Sequence, residues 1–195
     1  MFTPMVLALS GATSISAIIL ASGLTWPALA APLSLAAHHE QRADLALRSE
    51  QVSAHDLDRA ARENDKTLES SPFTASAWLR AAYIRKEETG SLDAESLRNL
   101  EISYRVAPLG PGVSRWRLRF VFENWQSVTP AIRVAALNEL RVFATYHKGS
   151  GALVDSIADP AGRLAAKLTV RNVYMNIAAT GSDDAVAQEV RRVTT

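Results

Sequence analysis

The residues with the most chemical promise are Arg115-Trp116-Arg117-Leu118-Arg119-Phe120, because cations interleaved with aromatic rings can grip an anionic polymer through charge and stacking. Secondary structure decides what they present. As a strand, the segment would set Arg115, Arg117 and Arg119 on one face and Trp116, Leu118, Phe120 and Phe122 on the other. As a helix, it aligns Arg115 with Arg119, turns Arg117 nearly opposite, and makes core pairs of Trp116 with Phe120 and of Val121 with Trp125. The sequence offers no second strand to pair with it, so a helix is expected, with apolar rings inward and the arginines as a solvated rim. Arg115, Arg117 and Arg119 are the candidate partner-binding residues.

Other reactive groups are sparse. His38, His39, His55 and His147 include no pair at metal-ligand spacing on one helix, and the adjacent His38-His39 reads as an exposed linker. Glu87-Glu88 and Asp183-Asp184 are neighbours, suited to turns and helix starts rather than to acid and base roles across a cleft. No G-x-S-x-G, phosphate-binding glycine loop or H-E-x-x-H occurs, and the absence of cysteine removes disulfides, thiolate metal sites and thiol nucleophiles together. The expectation is therefore a protein that is not an enzyme, with no catalytic, cofactor-binding or metal residue. Lys plus Arg (21) nearly cancels Asp plus Glu (20), leaving no global field to attract nucleic acid. No nucleic-acid partner is expected.

The elements that must position these residues read as helices throughout, which makes the expected fold all-α, built of antiparallel helical hairpins with irregular flanking helices. Ser53 and Asp56 form a variant capping box that opens a helix over about 54–70, with Leu57, Ala60, Ala61, Asn64 and Leu68 inward. A helix from about Thr74 to Glu88 or Gly90 follows Pro72, carrying Ala75, Trp78, Ala82 and Tyr83 or Ile84 inward. Ser91 opens the next, with Leu92, Ser96, Leu100, Ser103 and Val106 on one side until Pro108. After the Pro108–Gly112 break, a helix is predicted over 114–125. Thr129-Pro130 caps another to about Tyr146, where Gly149-Ser150-Gly151 ends it. Asp159-Pro160 repeats the device for a helix to about Ala179, and a last short helix runs from Asp183-Asp184 to Val193.

Upstream, no Asp, Glu, Lys or Arg precedes Glu40, and Val6 to Leu24 is an apolar run long enough for hydrocarbon. Ala28 and Ala30 fit a signal-peptidase pattern, with cleavage after Ala30. Residues 1–30 are thus expected to be a signal peptide or membrane anchor, 31–52 a linker and leading helix, and 53–195 the helical domain. This reading implies a bacterial cell-envelope location, periplasmic or anchored in the inner membrane through the uncleaved segment.

Pro72-Phe-Thr-Ala-Ser-Ala-Trp78, with Ala82 four residues after the aromatic, resembles the opening of a tetratricopeptide repeat. Ser96, Leu100, Ser103 and Pro108 match the small, large, small, proline series of that repeat's second helix. The two prolines stand 36 positions apart in this sequence, against a family repeat of about 34 residues. The match departs from the pattern at Ala81, where a larger apolar residue is usual, and at Arg85, where an aromatic is usual. It covers one repeat. Such a resemblance implies a scaffold that presents a groove to a protein partner, with Pro72, Trp78, Ala82, Ser96, Leu100, Ser103 and Pro108 as packing residues. The run from Arg115 through Trp125, Pro130 and Arg133 also resembles, diffusely, small envelope proteins that accompany surface-polysaccharide systems. The alternative functions are an anionic-polymer-binding module using the Arg115, Arg117, Arg119 patch and, ranked below it, a small helical enzyme.

Overall fold

The structure, a computed structural model, describes residues 36–47, 53–147 and 149–180. Every regular element among the described residues is an α-helix: α1 Ala36–Ala46, α2 Ala54–Ser70, α3 Ala75–Thr89, α4 Ala94–Val106, α5 Ser114–Glu123, α6 Pro130–Tyr146, α7 Ser150–Asp155 and α8 Pro160–Thr180. No strand occurs among them, and the Arg115–Phe120 segment lies inside α5, as its helical reading requires. The chain divides into two compact units between Ala77 and Trp78, inside α3.

In the first unit, α1 packs on α2. Ala43 and Ala60, both fully buried, keep side-chain bulk small where these helices pack. The expected capping box is present: Ser53 Oγ accepts from the Asp56 N–H and Asp56 Oδ2 accepts from the Ser53 N–H, each at 3.2 Å. The inward ridge of α2 is more polar than its periodicity suggested. Ala60, Glu63, Asn64 and Thr67 are buried, whereas Leu57, Ala61 and Leu68 are only half-buried. Hydrogen bonding makes this tolerable, since Thr67 Oγ1 donates to the Glu63 carbonyl at 3.0 Å and Asn64 Nδ2 donates to the Ala77 carbonyl at 3.1 Å.

The second unit begins in α3. Gly90 ends that helix with φ +71°, a left-handed conformation that glycine adopts without strain from a Cβ. The next helix is capped by Asp93 and not by Ser91: Asp93 Oδ1 accepts from the Ser96 N–H at 2.8 Å, and a carboxylate is favoured at a helix start over a neutral hydroxyl. Thr129 caps α6 through the Ile132 N–H, with Pro130 at the first helical position, as the sequence implies. The short helix α7 was not legible, because Gly149-Ser150-Gly151 reads as a terminator. Burial of Leu153, Val154 and the following Ile157 holds it in place of propensity.

Aromatic packing joins α3 to α5, with Tyr83 edge-on to both Trp116 and Phe120 at centroid distances of 6.3 and 6.2 Å. The far end of α5 is fastened to the start of α8. Glu123 accepts from the backbone N–H groups of Ala158 (2.9 Å) and Asp159 (3.2 Å), and Asp159 in turn caps α8 by accepting from the Gly162 N–H at 2.6 Å. Gly162 permits this approach: a Cβ there would stand 1.9 Å from the Phe122 carbonyl oxygen. Stacked helical hairpins with antiparallel packing are the result.

Among the described residues, no helix is long and apolar enough to cross a membrane. The expected inner-membrane anchor, and the envelope and periplasmic location inferred with it, are therefore withdrawn. Val6 to Leu24 and the Ala30 cleavage site, on which they rested, lie outside the described residues, as does the helix expected between Asp183 and Val193.

Candidate functional site

The arginine-aromatic segment resolves into two opposite environments. Arg115 and Arg119 are exposed one turn apart on α5, and Arg119 lies 4.0 Å from Glu123. Arg117 is fully buried, which corrects its expected place on a solvated rim and removes it from any surface patch. The helical phase accounts for this, since a residue two positions from Arg115 and two from Arg119 points to the side that carries Leu118 and Val121.

Arg117 joins three helices. From α5 its Nε donates to Glu139 Oε2 of α6 at 3.1 Å while Nη2 donates to Glu139 Oε1. Nη1 reaches the Ser103 carbonyl at 2.9 Å and Nη2 reaches the Ala107 carbonyl, also at 2.9 Å. Both carbonyls lie at the C-terminal end of α4, where the dipole favours a cation; that of Ser103 also accepts the Ala107 N–H at 3.2 Å, and Ala107 is the residue just past the helix. Tyr104 closes the site from the same helix, its ring centroid 4.1 Å from the guanidinium carbon. Burial, and then the Glu139 carboxylate, push the Tyr104 phenol well above its ordinary pKa, so it stays neutral. Ser114 Oγ lies 2.7 Å from Glu139 Oε1 and 2.8 Å from the Gly110 carbonyl; its single proton can serve one of them at a time.

Glu139 and Tyr104 were missed by sequence reasoning, yet Glu139 left a signal. Ile132, Ala136, Glu139 and Leu140 recur at the spacing of one buried helix face, and an acid at such a position requires a partner. Arg80, also almost fully buried, left the same kind of signal between Leu79 and Ala82.

The repeat-packing residues divide by depth. Ala82, Ser96, Leu100 and Ser103 are buried, Trp78 is half-buried, and Pro72 and Pro108 are exposed. Arg85, which stands where the repeat pattern expects an aromatic, instead extends to Asp93 at the start of α4, its Nε donating to Oδ2 at 2.8 Å. The Ser96 N–H, and then Arg85, lower the Asp93 carboxyl to a pKa of about 2. In the first unit His39 is buried on α1 with Nδ1 at 2.6 Å from Glu63 Oε2, correcting its reading as exposed linker. Burial alone would raise the Glu63 pKa; the His39 hydrogen bond and the Arg42 and Lys66 charges together lower it. No group of three or more His, Asp or Glu among the described residues is arranged to hold a metal ion.

Among the described residues, α8 carries three exposed large apolar side chains in line. Helix α8 buries Ala166, Thr169, Val170 and Val173 on one side, while Leu164, Leu168 and Met175 on the other are 58%, 50% and 57% exposed. These three recur at i, i+4 and i+11, which places them in one row along the helix.

No protein-family model matches the chain, and no curated protein or solved structure is significantly similar to it. Fold and site together define its class: an all-α protein of stacked helix hairpins, whose clustered ionisable groups fasten helices to one another.

Proposed function

We propose that this chain is a non-enzymatic helical scaffold that binds a protein partner through the outer face of α8. The carrying observation is the row Leu164, Leu168 and Met175, three large apolar side chains about half exposed on a helix whose opposite side is already buried. A helix that needs only one apolar face for its own packing gains nothing in folding from a second one. Retaining it suits a surface that is covered by another molecule.

The inner chemistry supports the same reading. Arg117, Glu139 and Asp93 have the buried or perturbed character often found at reactive centres, but each is engaged in a helix cap or helix-helix contact. The tetratricopeptide-like hairpin, with Ala82, Ser96, Leu100 and Ser103 buried, is in keeping with a repeat-type scaffold. Peptide-display selection against the purified chain tests the proposal. Recurrent sequences that bind saturably and lose binding when the chain is thermally unfolded are expected; a selection that enriches nothing above background would overturn it.

A further inference from the structure

Charge specifies what α8 would recognise. Pro160–Thr180 contains Arg163, Lys167 and Arg171 and no Asp or Glu. All three cations are exposed; Arg163 and Lys167 flank the apolar row of Leu164, Leu168 and Met175, and Arg171, at i+7 from Leu164, falls within that row between Leu168 and Met175. Arg163 is held in place, its Nε donating to the Ile157 carbonyl at 2.6 Å and Nη2 to the Ala158 carbonyl at 3.2 Å. From Leu164 to Met175 the apolar row extends about 16 Å, roughly three turns.

Resting on the reading of α8 as a partner-binding face, we infer that its partner is an amphipathic helix whose apolar stripe is flanked by acidic residues. A helix of about twelve residues matches the length of the row at 1.5 Å per residue. Its apolar side chains would cover Leu164, Leu168 and Met175, while its Asp or Glu side chains would meet Lys167 at the rim and Arg171 between Leu168 and Met175. The apolar contact supplies most of the affinity. The unopposed cations select the sign of the partner, because a basic-rimmed helix in the same position would meet like charges.

Fluorescence anisotropy with two synthetic helical peptides tests this on the full chain. Both carry the same leucine stripe; one is rimmed by Glu and the other by Lys. The Glu-rimmed peptide should bind saturably and roughly ten-fold more tightly at low salt, with the advantage shrinking as salt is raised. Lys167→Glu with Arg171→Glu should invert the preference. Leu168→Ser with Met175→Ser should weaken both peptides about ten-fold while leaving the circular dichroism melt unchanged.

Equal binding of the two peptides, or binding indifferent to the charge reversals, would overturn the inference. So would binding to phosphatidylglycerol–phosphatidylcholine vesicles without peptide binding, or self-association, abolished by Leu168→Ser with Met175→Ser, that occludes the face. The underlying scaffold reading fails separately. Display-selected peptides that bind but ignore the α8 charge reversals would leave that reading standing and remove this one, whereas enrichment of no peptide would remove the scaffold reading itself.

Discussion

Arg117 and Glu139 meet as a fully buried ion pair between α5 and α6, and the same guanidinium caps the last turn of α4. Neither charge is solvated, so each depends on the other, with Arg117 held further by the helix-end carbonyls and Glu139 by the Ser114 hydroxyl. Arg117→Ala would strand Glu139 and remove the guanidinium donor from the Ala107 carbonyl, and should cost about 3–5 kcal/mol in chemical denaturation. Arg117→Lys should also destabilise, since an ammonium cannot reproduce the planar fork that serves Glu139 and two helix-end carbonyls together.

Asp93 predicts a pH dependence whose sign follows from its depressed pKa. The group contributes stability in full above its ordinary pKa of 3.8, and that contribution is lost as pH falls through about 2. Asp93→Asn keeps an N-cap but loses the charge shared with Arg85. The wild-type chain should therefore be more stable than this variant above pH 4, with the difference narrowing toward pH 2. A gap of constant size across that range, measured by urea unfolding, would show that the charge contributes nothing.

Gly162 should reverse the usual effect of glycine in a helix. Replacing an unconstrained helical glycine by alanine generally stabilises by about 1 kcal/mol. Here the new Cβ would stand 1.9 Å from the Phe122 carbonyl oxygen, a backbone atom that cannot swing aside. Gly162→Ala should destabilise by at least about 1–3 kcal/mol and separate the start of α8 from the end of α5. An unchanged or raised melting temperature would contradict this close approach.

Much of the fold could be read from local chemistry. Ser53, Thr129 and Asp159 each announced a helix because a side-chain acceptor close to an apolar run has an immediate physical use, and all three cap the helices they were expected to open. Ser91 and Asp93, two residues apart, can both cap, and only tertiary context supplies Arg85 to favour the acid. The site was less legible. Helical phase alone turned Arg117 away from Arg115 and Arg119, but its burial depended on Glu139, a residue 22 positions away whose partner no local pattern names. The burial of His39 is illegible locally for the same reason, since its partner Glu63 lies on another helix.

Binding by the paired-replacement variant Arg117→Met with Glu139→Leu tests most directly the claim that the buried pair is a fastener and that recognition lies on the surface. Replacing both members of a buried ion pair by apolar residues strands no charge, so the double variant should still fold and be less destabilised than Arg117→Ala, although the Ala107 carbonyl loses its donor. It should also bind the display-selected and Glu-rimmed peptides with unchanged affinity. A double variant that folds normally but has lost peptide binding would place the function at Arg117 and Glu139 and contradict the account.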